Sequence, residues 1–214
     1  MGLYHMGPPP RLARLLKNEL DIDAFVETGT YIGNTASWAA ACFKDVITVE
    51  ASPAYAEKAR IRFAGTNVRV IEGSSALVLP KALSACTGNA MFWLDAHWCG
   101  GKTAGTRSEC PFFEEMKVIN SRKANDVVLL DDARLFSAPP PIPHDPKQWP
   151  TLAETVGALE AGGRRYVMII DDIFVAVPAS KKDFLVAQSR IELARRATRT
   201  LWAAKISRLL GVHW

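Results

Sequence analysis

Four polar side chains in two segments of the chain are of the types that metal and acid–base chemistry use. Asp95 and His97 follow one apolar run, and Asp131 and Asp132 follow another. If these runs are neighbouring parallel strands, their carboxyl ends meet at one edge of a sheet. Carboxylates that meet repel each other unless they are protonated or share a cation, and Mg²⁺ prefers oxygen ligands. The pattern therefore predicts a Mg²⁺ site formed by Asp95, Asp131 and Asp132.

His97 is the best candidate in this group for a general base, because the pKa of an imidazole lies near the working pH of most enzymes. A structural or substrate-binding histidine is the alternative, and Asp95 and Asp131 could simply cap the turns that follow them. Zinc held by His97, Cys99 and Cys110 is a further alternative, but a fourth ligand is not evident and the spacing is unusual.

A second group of polar residues and glycines follows three other apolar runs. The first run continues into Glu27-Thr28-Gly29-Thr30-Tyr31-Ile32-Gly33, a Gly-x-x-x-Gly turn that lacks the pyrophosphate-binding Gly-x-Gly-x-x-Gly. The second ends at Glu50, 21 residues after Gly29, where a carboxylate suits two ribose hydroxyls. The third leads into Gly73-Ser74-Ser75, which could border an adenine ring. Each turn alone could be an ordinary strand-to-helix turn, but together they predict a nucleoside site.

The order of apolar runs and helical stretches predicts a parallel sheet covered by helices on both faces. The predicted strands are Ala24–Glu27, Val46–Glu50, Val68–Ile71, Ala90–Asp95 and Val127–Asp131. The predicted helices are Arg11–Leu20, Thr35–Phe43, Pro53–Phe63, Ser75–Ala85, Pro111–Ser121 and Leu152–Ala161. Only two residues separate Arg165–Ile170 from Ile173–Val177, so this pair is expected to form an antiparallel hairpin. The segment from Phe136 to Trp149 is rich in proline and predicts a surface loop.

These motifs resemble those of the class I S-adenosylmethionine-dependent methyltransferases. "VETGTYIGNTA", "VITVE" and "VIEGSS" are similar to the first three motifs of that family. The resemblance implies a Rossmann-like α/β sandwich with a mostly parallel seven-stranded sheet in the order 3-2-1-4-5-7-6, ending in an antiparallel hairpin. It implies that Glu27 and Gly29 border the methionine moiety and that Glu50 binds the ribose. The expected cofactor-binding residues are Glu27, Thr28, Gly29, Thr30, Gly33, Glu50, Gly73, Ser74, Ser75 and Asp95.

The acidic cluster resembles that of the divalent-metal-dependent O-methyltransferases of the catechol and macrolide-sugar types. These enzymes have one Asp after the fourth strand and an acidic or amide pair after the fifth, which Asp95, Asp131 and Asp132 match. The resemblance implies methyl transfer to a hydroxyl of a small molecule or sugar, assisted by Mg²⁺. It also makes Lys102 a second candidate for the base, because catechol-type relatives use a lysine shortly after the Asp.

Length and composition are those of one globular domain over residues 1–214, with a helical lead-in at 1–20 and a basic C-terminal helix at 181–214. Hydrophobic residues make up 49% of the 214 and charged residues 22%. No apolar run is long enough for a transmembrane segment, and the N-terminus lacks a secretory signal, so a cytoplasmic protein with reduced cysteines is expected. The oligomeric state is left open, with a homodimer among the alternatives.

Three other functions compete with a small-molecule methyltransferase. Methylation of nucleic acid is disfavoured because the basic residues lie mainly in the last 34 positions, where eight Lys or Arg face two acidic residues, rather than beside the site. A nucleotide-dependent oxidoreductase would need the missing pyrophosphate-binding glycines. A non-catalytic Rossmann-like binding protein would use the acidic cluster only structurally.

Overall fold

The structure, a computed structural model, describes residues 7–84, 86–98 and 109–195. Its seven strands are β1 Ala24–Thr28, β2 Asp45–Glu50, β3 Val68–Glu72, β4 Ala90–Leu94, β5 Val127–Leu130, β6 Arg165–Ile170 and β7 Ile173–Pro178. Its helices are α1 Pro10–Glu19, α2 Asn34–Ala40, α3 Pro53–Arg62, α4 Ser75–Ala82, α5 Phe112–Ser121, α6 Ala133–Ser137 and α7 Leu152–Glu160, with short 3₁₀ turns at Pro146–Gln148 and Ala179–Lys181.

The strands form one sheet in the order β3-β2-β1-β4-β5-β7-β6, which confirms the predicted fold class. β1 to β5 pair in parallel, whereas β7 runs antiparallel to both β5 and β6. Because the β6–β7 connection has only two residues, these strands can pair only as a hairpin. The register aligns Thr28 with Val49 on one side and with Leu94 on the other. The carboxyl ends of the three central strands therefore meet at one edge.

Helices cover both faces of the sheet. On one face, buried side chains of α4, α5 and α7 such as Leu79, Ile119 and Leu159 join sheet residues in the main core. A second cluster contains Ala36 of α2, Ala59 of α3 and Phe63, which directly follows α3, and it packs against β3. The central strands are buried throughout, which explains why their sequences are nearly all apolar.

Some predicted boundaries were wrong. The prediction had α4 continuing to residue 85, but the helix ends at Ala82, after Pro80 has removed one backbone donor from its last turn. The prediction also missed α6. The start of this helix is determined by long-range hydrogen bonds, because Asp172 accepts from the backbone amides of Ala133 and Arg134. The predicted surface loop from Phe136 to Trp149 was wrong at both ends, because Phe136 belongs to α6 and both residues are buried in the main core. The prolines from 139 onward do lie outside the α-helices, and a 3₁₀ turn occupies Pro146–Gln148.

The chain divides into two compact units, residues 1–179 and residues 180–214. The first contains the sheet. In the second, residues 182–195 are helical, and the remainder of the predicted basic helix lies outside the described residues. The single-domain organisation over residues 1–214 stays a prediction. No helix in the described part of the chain is long and apolar enough to cross a bilayer.

Candidate active site

The turn after β1 is built on a glycine that no other residue can replace without strain. Gly29 has a φ of +90°, and a Cβ added there would lie 2.2 Å from the backbone oxygen of Asp95. The Asp95 amide donates to the oxygen of Thr28 over 3.0 Å, and the Gly29 amide donates to Val49 over 2.9 Å. The backbone after β1 is therefore pressed directly against the backbone after β4. This contact brings the predicted glycine turn and the predicted acidic cluster to one place.

The turn continues to Gly33, which has a φ of +79° and precedes α2. Within the turn, the hydroxyl of Thr30 lies 2.5 Å from that of Thr48, and Thr48 donates to Glu27 over 2.5 Å. Glu27 is only 1% exposed, and burial, with repulsion from Asp95, raises its pKa to about 8. Glu27 is thus largely a neutral acid at pH 7, able to donate a hydrogen bond as well as accept one.

The carboxylate of Glu50, at the end of β2, holds the backbone on both sides of it. One oxygen accepts from the Tyr31 amide and the other from the Ser52 amide, each over 2.8 Å. Each carboxylate oxygen can accept a second hydrogen bond, so the predicted role of Glu50 with ribose hydroxyls is compatible with these contacts. The backbone oxygen of Glu50 also accepts from Gly73 over 2.8 Å, which places the Gly73–Ser74–Ser75 turn beside it.

The acidic cluster after β4 and β5 contains a tight histidine–carboxylate pair. His97 Nε2 lies 2.8 Å from Asp132 Oδ2 and 4.0 Å from Asp95 Oδ1, and the His97 side chain is 2% exposed. Burial raises the pKa of Asp95 to about 6, and burial together with repulsion from Asp95 raises that of Asp131 to about 7. Although burial opposes it, the hydrogen bond from His97 lowers the pKa of Asp132. Asp132 is therefore the ionised partner of His97.

Asp132 is held by its neighbours in a left-handed conformation, with a φ of +55°. Its amide donates to Asp131 Oδ1 over 2.8 Å, and Arg134 donates to its second carboxylate oxygen over 2.5 Å. Arg134 also bonds Asp172, the second residue of the β6–β7 turn. The orientation of Asp132 toward His97 is thus supported by the turn before β7, the strand that pairs with β5.

The three predicted metal ligands lie in one region, but their carboxyl groups have different hydrogen-bond partners. Both oxygens of Asp132 are already bonded by His97 and Arg134. Among the described residues, no group of three or more His, Cys, Asp or Glu side chains is arranged to hold a metal ion. Lys102 and Cys99 lie outside the described residues, so the second candidate base and the zinc alternative stay predictions.

Sequence reasoning missed Glu109, a buried carboxylate next to this cluster. Glu109 accepts from Trp149 Nε1 over 2.8 Å and pairs with His144 Nδ1 at 3.2 Å, and its backbone oxygen accepts from Trp98 over 2.7 Å. Trp149 in turn packs against His97, with ring centroids 5.6 Å apart. Glu109 thus connects the proline-rich segment to the residues around His97. The partners of its side chain are 35 to 40 positions away, so no local pattern could have found them.

Several solved structures have a similar fold. TomG, an O-methyltransferase from Streptomyces achromogenes involved in tomaymycin synthesis and solved with SAM, is 20% identical, with 82% of each chain covered and a TM-score of 0.55. An O-methyltransferase from Bacillus cereus in complex with SAH is 19% identical over 82% of this chain and 84% of its own, with a TM-score of 0.53. SAH-bound methyltransferase PaMTH1 from Podospora anserina is 17% identical over 79% and 77%, with a TM-score of 0.52.

No protein-family model matches the sequence, and no curated protein matches it either. At the identities of these solved structures, the likeness concerns the fold and not the reaction. This chain has the Rossmann-like fold of the S-adenosylmethionine-dependent methyltransferases.

Proposed function

We propose that this protein transfers a methyl group from S-adenosylmethionine to a hydroxyl of a small molecule or sugar. The observation that carries the proposal is the backbone contact between Gly29 and Asp95. It puts a turn suited to a nucleoside cofactor against a cluster that contains a paired histidine. Solved proteins of the same fold that hold SAM or SAH add support.

The residues after β1, β2 and β3 fit the cofactor. The Gly29 turn holds the backbone after β1 against the backbone after β4, at the edge of the sheet where ligands bind in open α/β folds. Glu50 supplies carboxylate oxygens at the end of β2 for the ribose hydroxyls, and Ser74 and Ser75 lie in the next turn. When bound, S-adenosylmethionine supplies a methyl group activated by its sulfonium. The protein's contribution is to hold the acceptor oxygen in line with that methyl group.

His97 is the proposed base for the acceptor hydroxyl. Removing the proton makes the oxygen a stronger nucleophile, and the adjacent carboxylate of Asp132 stabilises the imidazolium that forms. Trp149 and Phe136 pack against the ring of His97, with centroids 5.6 and 6.4 Å away, so the base is held in an apolar surrounding. Lys102 is the alternative base.

A divalent cation is proposed as an assistant at Asp95 and Asp131. The repulsion that raises the pKa of Asp131 is the kind that a cation relieves, and two carboxylates are hard oxygen ligands. Asp132 would join them only by giving up His97 or Arg134. A Mg²⁺ ion held there would lower the pKa of an acceptor hydroxyl that it binds.

Calorimetry with S-adenosylhomocysteine and turnover on a panel of phenols, sugars and other hydroxyl compounds test the proposal. We expect His97→Gln to lower turnover by roughly 10²–10⁴-fold, with cofactor affinity nearly unchanged. His144→Gln is the matched control, since His144 also packs against Trp149 but pairs with Glu109 instead of Asp132, and this variant should lose far less turnover. Binding without turnover on any acceptor would favour a non-catalytic binding protein, and binding of NAD instead would favour an oxidoreductase.

The cation is tested separately. We expect excess chelator to suppress turnover and Mg²⁺ to restore it. Full turnover in chelator would refute the cation while leaving methyl transfer by His97 intact. If the protein methylated DNA or RNA and this activity weakened steeply with salt, nucleic acid would replace the small molecule as the proposed acceptor.

A further inference from the structure

A carboxyl group buried next to the candidate site has no role in the proposed chemistry. Glu115, on α5, is 2% exposed. It shares the buried face of its helix with Phe112, Met116 and Ile119, all of which are apolar. A glutamate in such a stripe lowers stability unless its polar atoms find partners, so its presence there calls for a function.

Two hydroxyl groups face this carboxyl from two other elements. The hydroxyls of Thr28 and Ser75 lie close enough to lower the pKa of Glu115. Nevertheless, Thr28 Oγ1, Ser75 Oγ and Glu115 Oε1 are all buried and, within the described part of the chain, lack partners in good hydrogen-bonding geometry. Burying all three oxygens without hydrogen bonds would be costly, and bonds from the two hydroxyls to Glu115 would satisfy them.

The positions of the two hydroxyls connect this cluster to the cofactor site. Thr28 is the last residue of β1 and directly precedes Gly29. Ser75 is the first residue of α4 and follows the turn at Gly73 and Ser74. We propose that Glu115 is a positioning residue, which links Thr28 to Ser75 and thereby holds the turns at Gly29 and Gly73 in place for the cofactor. The cofactor part of this inference rests on the proposed function.

The protonation state of Glu115 affects how well it can make this link. Burial raises its pKa to about 7, whereas the two hydroxyls and His97, which lies after β4, lower it and Glu114, on the same helix, raises it. Thr28 and Ser75 face it from β1 and α4 without charge. The neutral acid can donate to one hydroxyl and accept from the other, and the carboxylate can accept from both. Because the two hydroxyls lower this pKa, they bond the carboxylate more strongly than the neutral acid, so the link should strengthen as pH rises above 7.

Hydrogen exchange and calorimetry on the full-length protein test the inference. Glu115→Gln keeps a donor and an acceptor, Glu115→Leu removes both at similar volume, and Ile119→Val is a control for disturbance of the same helix face. In Glu115→Leu we expect amide exchange to rise at least about tenfold in residues 28–33 and 73–78, and S-adenosylhomocysteine to bind about tenfold more weakly. Glu115→Gln should match the wild type at pH 6, where Glu115 is mostly neutral, and should lack the strengthening that the wild type shows above pH 7.

The outcomes separate the inference from the proposed function. Equal exchange in Glu115→Leu and Ile119→Val in both segments would overturn the positioning role. A wild type that binds no S-adenosylhomocysteine would refute the proposed function, and the exchange data would still decide whether Glu115 fixes the two turns. If Glu115→Leu does not fold, Thr28→Val replaces it: faster exchange in 73–78 supports the link, and unchanged exchange there contradicts it.

Discussion

Replacing Gly29 with alanine tests the backbone contact on which the candidate site depends. An alanine at a φ of +90° costs about 1–2 kcal/mol, because its Cβ crowds the backbone. The added Cβ would also lie 2.2 Å from the oxygen and 2.8 Å from the carbonyl carbon of Asp95. Both atoms belong to the backbone, so the ends of β1 and β4 must separate. Separation breaks the hydrogen bond from Asp95 to Thr28, which is worth about 1 kcal/mol.

The expected total loss in the free energy of unfolding is therefore about 2–3 kcal/mol. Gly65→Ala is the matched control, since Gly65 has a φ of +75° but no atom within 4 Å of its added Cβ. It should lose only the conformational part, about 1–2 kcal/mol. The difference between the two variants, measured by urea unfolding, isolates the contact with Asp95.

Calorimetry with S-adenosylhomocysteine completes this test. If the ligand requires the native turn, about 2–3 kcal/mol of distortion weakens its binding by roughly 30- to 150-fold in Gly29→Ala, whereas Gly65→Ala binds normally. Equal stability losses in the two variants, together with undiminished binding in Gly29→Ala, would refute the reasoning about this edge of the sheet.

Three further predictions concern carboxyl groups in or beside the candidate site. Although burial opposes it, the hydrogen bonds from Trp149 and its neighbours lower the pKa of Glu109, so this carboxylate stabilises the protein above pH 4.5 and the contribution is lost as pH falls through the lowered pKa. Glu109→Leu should cost about 2–4 kcal/mol in urea unfolding at pH 7, and the cost should shrink as pH falls below 4.5. Burial and repulsion raise the pKa of Asp131 to about 7, so the cost of this group to the free energy of unfolding develops as pH rises from about 4 to 7. Asp131→Asn in chelator should therefore be more stable than the wild type at pH 8 but not at pH 4. Equal stabilities at pH 8 would contradict the repulsion. Glu50→Ala should weaken S-adenosylhomocysteine binding by about 1–3 kcal/mol in calorimetry, and unchanged affinity would remove Glu50 from the site.

Much of the fold could be predicted because its signals are local. Four- to six-residue apolar runs mark strands that are covered on both faces, and the two-residue turn at Asp171 and Asp172 can only form a hairpin. The glycine turn at Gly29 and the carboxylate at Glu50 follow the ends of such strands, so the shared edge of a parallel sheet predicts that they come together. The family resemblance of those motifs supplied the strand order, which the structure confirms.

The partner of each polar side chain could not be predicted in this way. Asp132 looked like a third metal ligand, yet it is bonded by His97, 35 residues earlier, and by Arg134, which is itself held by Asp172 in the β6–β7 turn. Helical periodicity could have placed Glu115 on a buried face, since it lies three residues after Phe112 and four before Ile119. It could not have shown the two hydroxyls that face it from β1 and α4.

The amino-acid sequence by itself determined which segments are strands, where the backbone needs glycine, and which polar residues follow the strand ends. These properties depend on the steric limits of single residues and on the spacing of apolar side chains along a few neighbouring positions. Only the tertiary structure decided that His97 is paired with Asp132 and that Glu109 and Glu115 are buried. Those facts depend on distances between atoms far apart in the chain, and burial then changes the charge that each group carries.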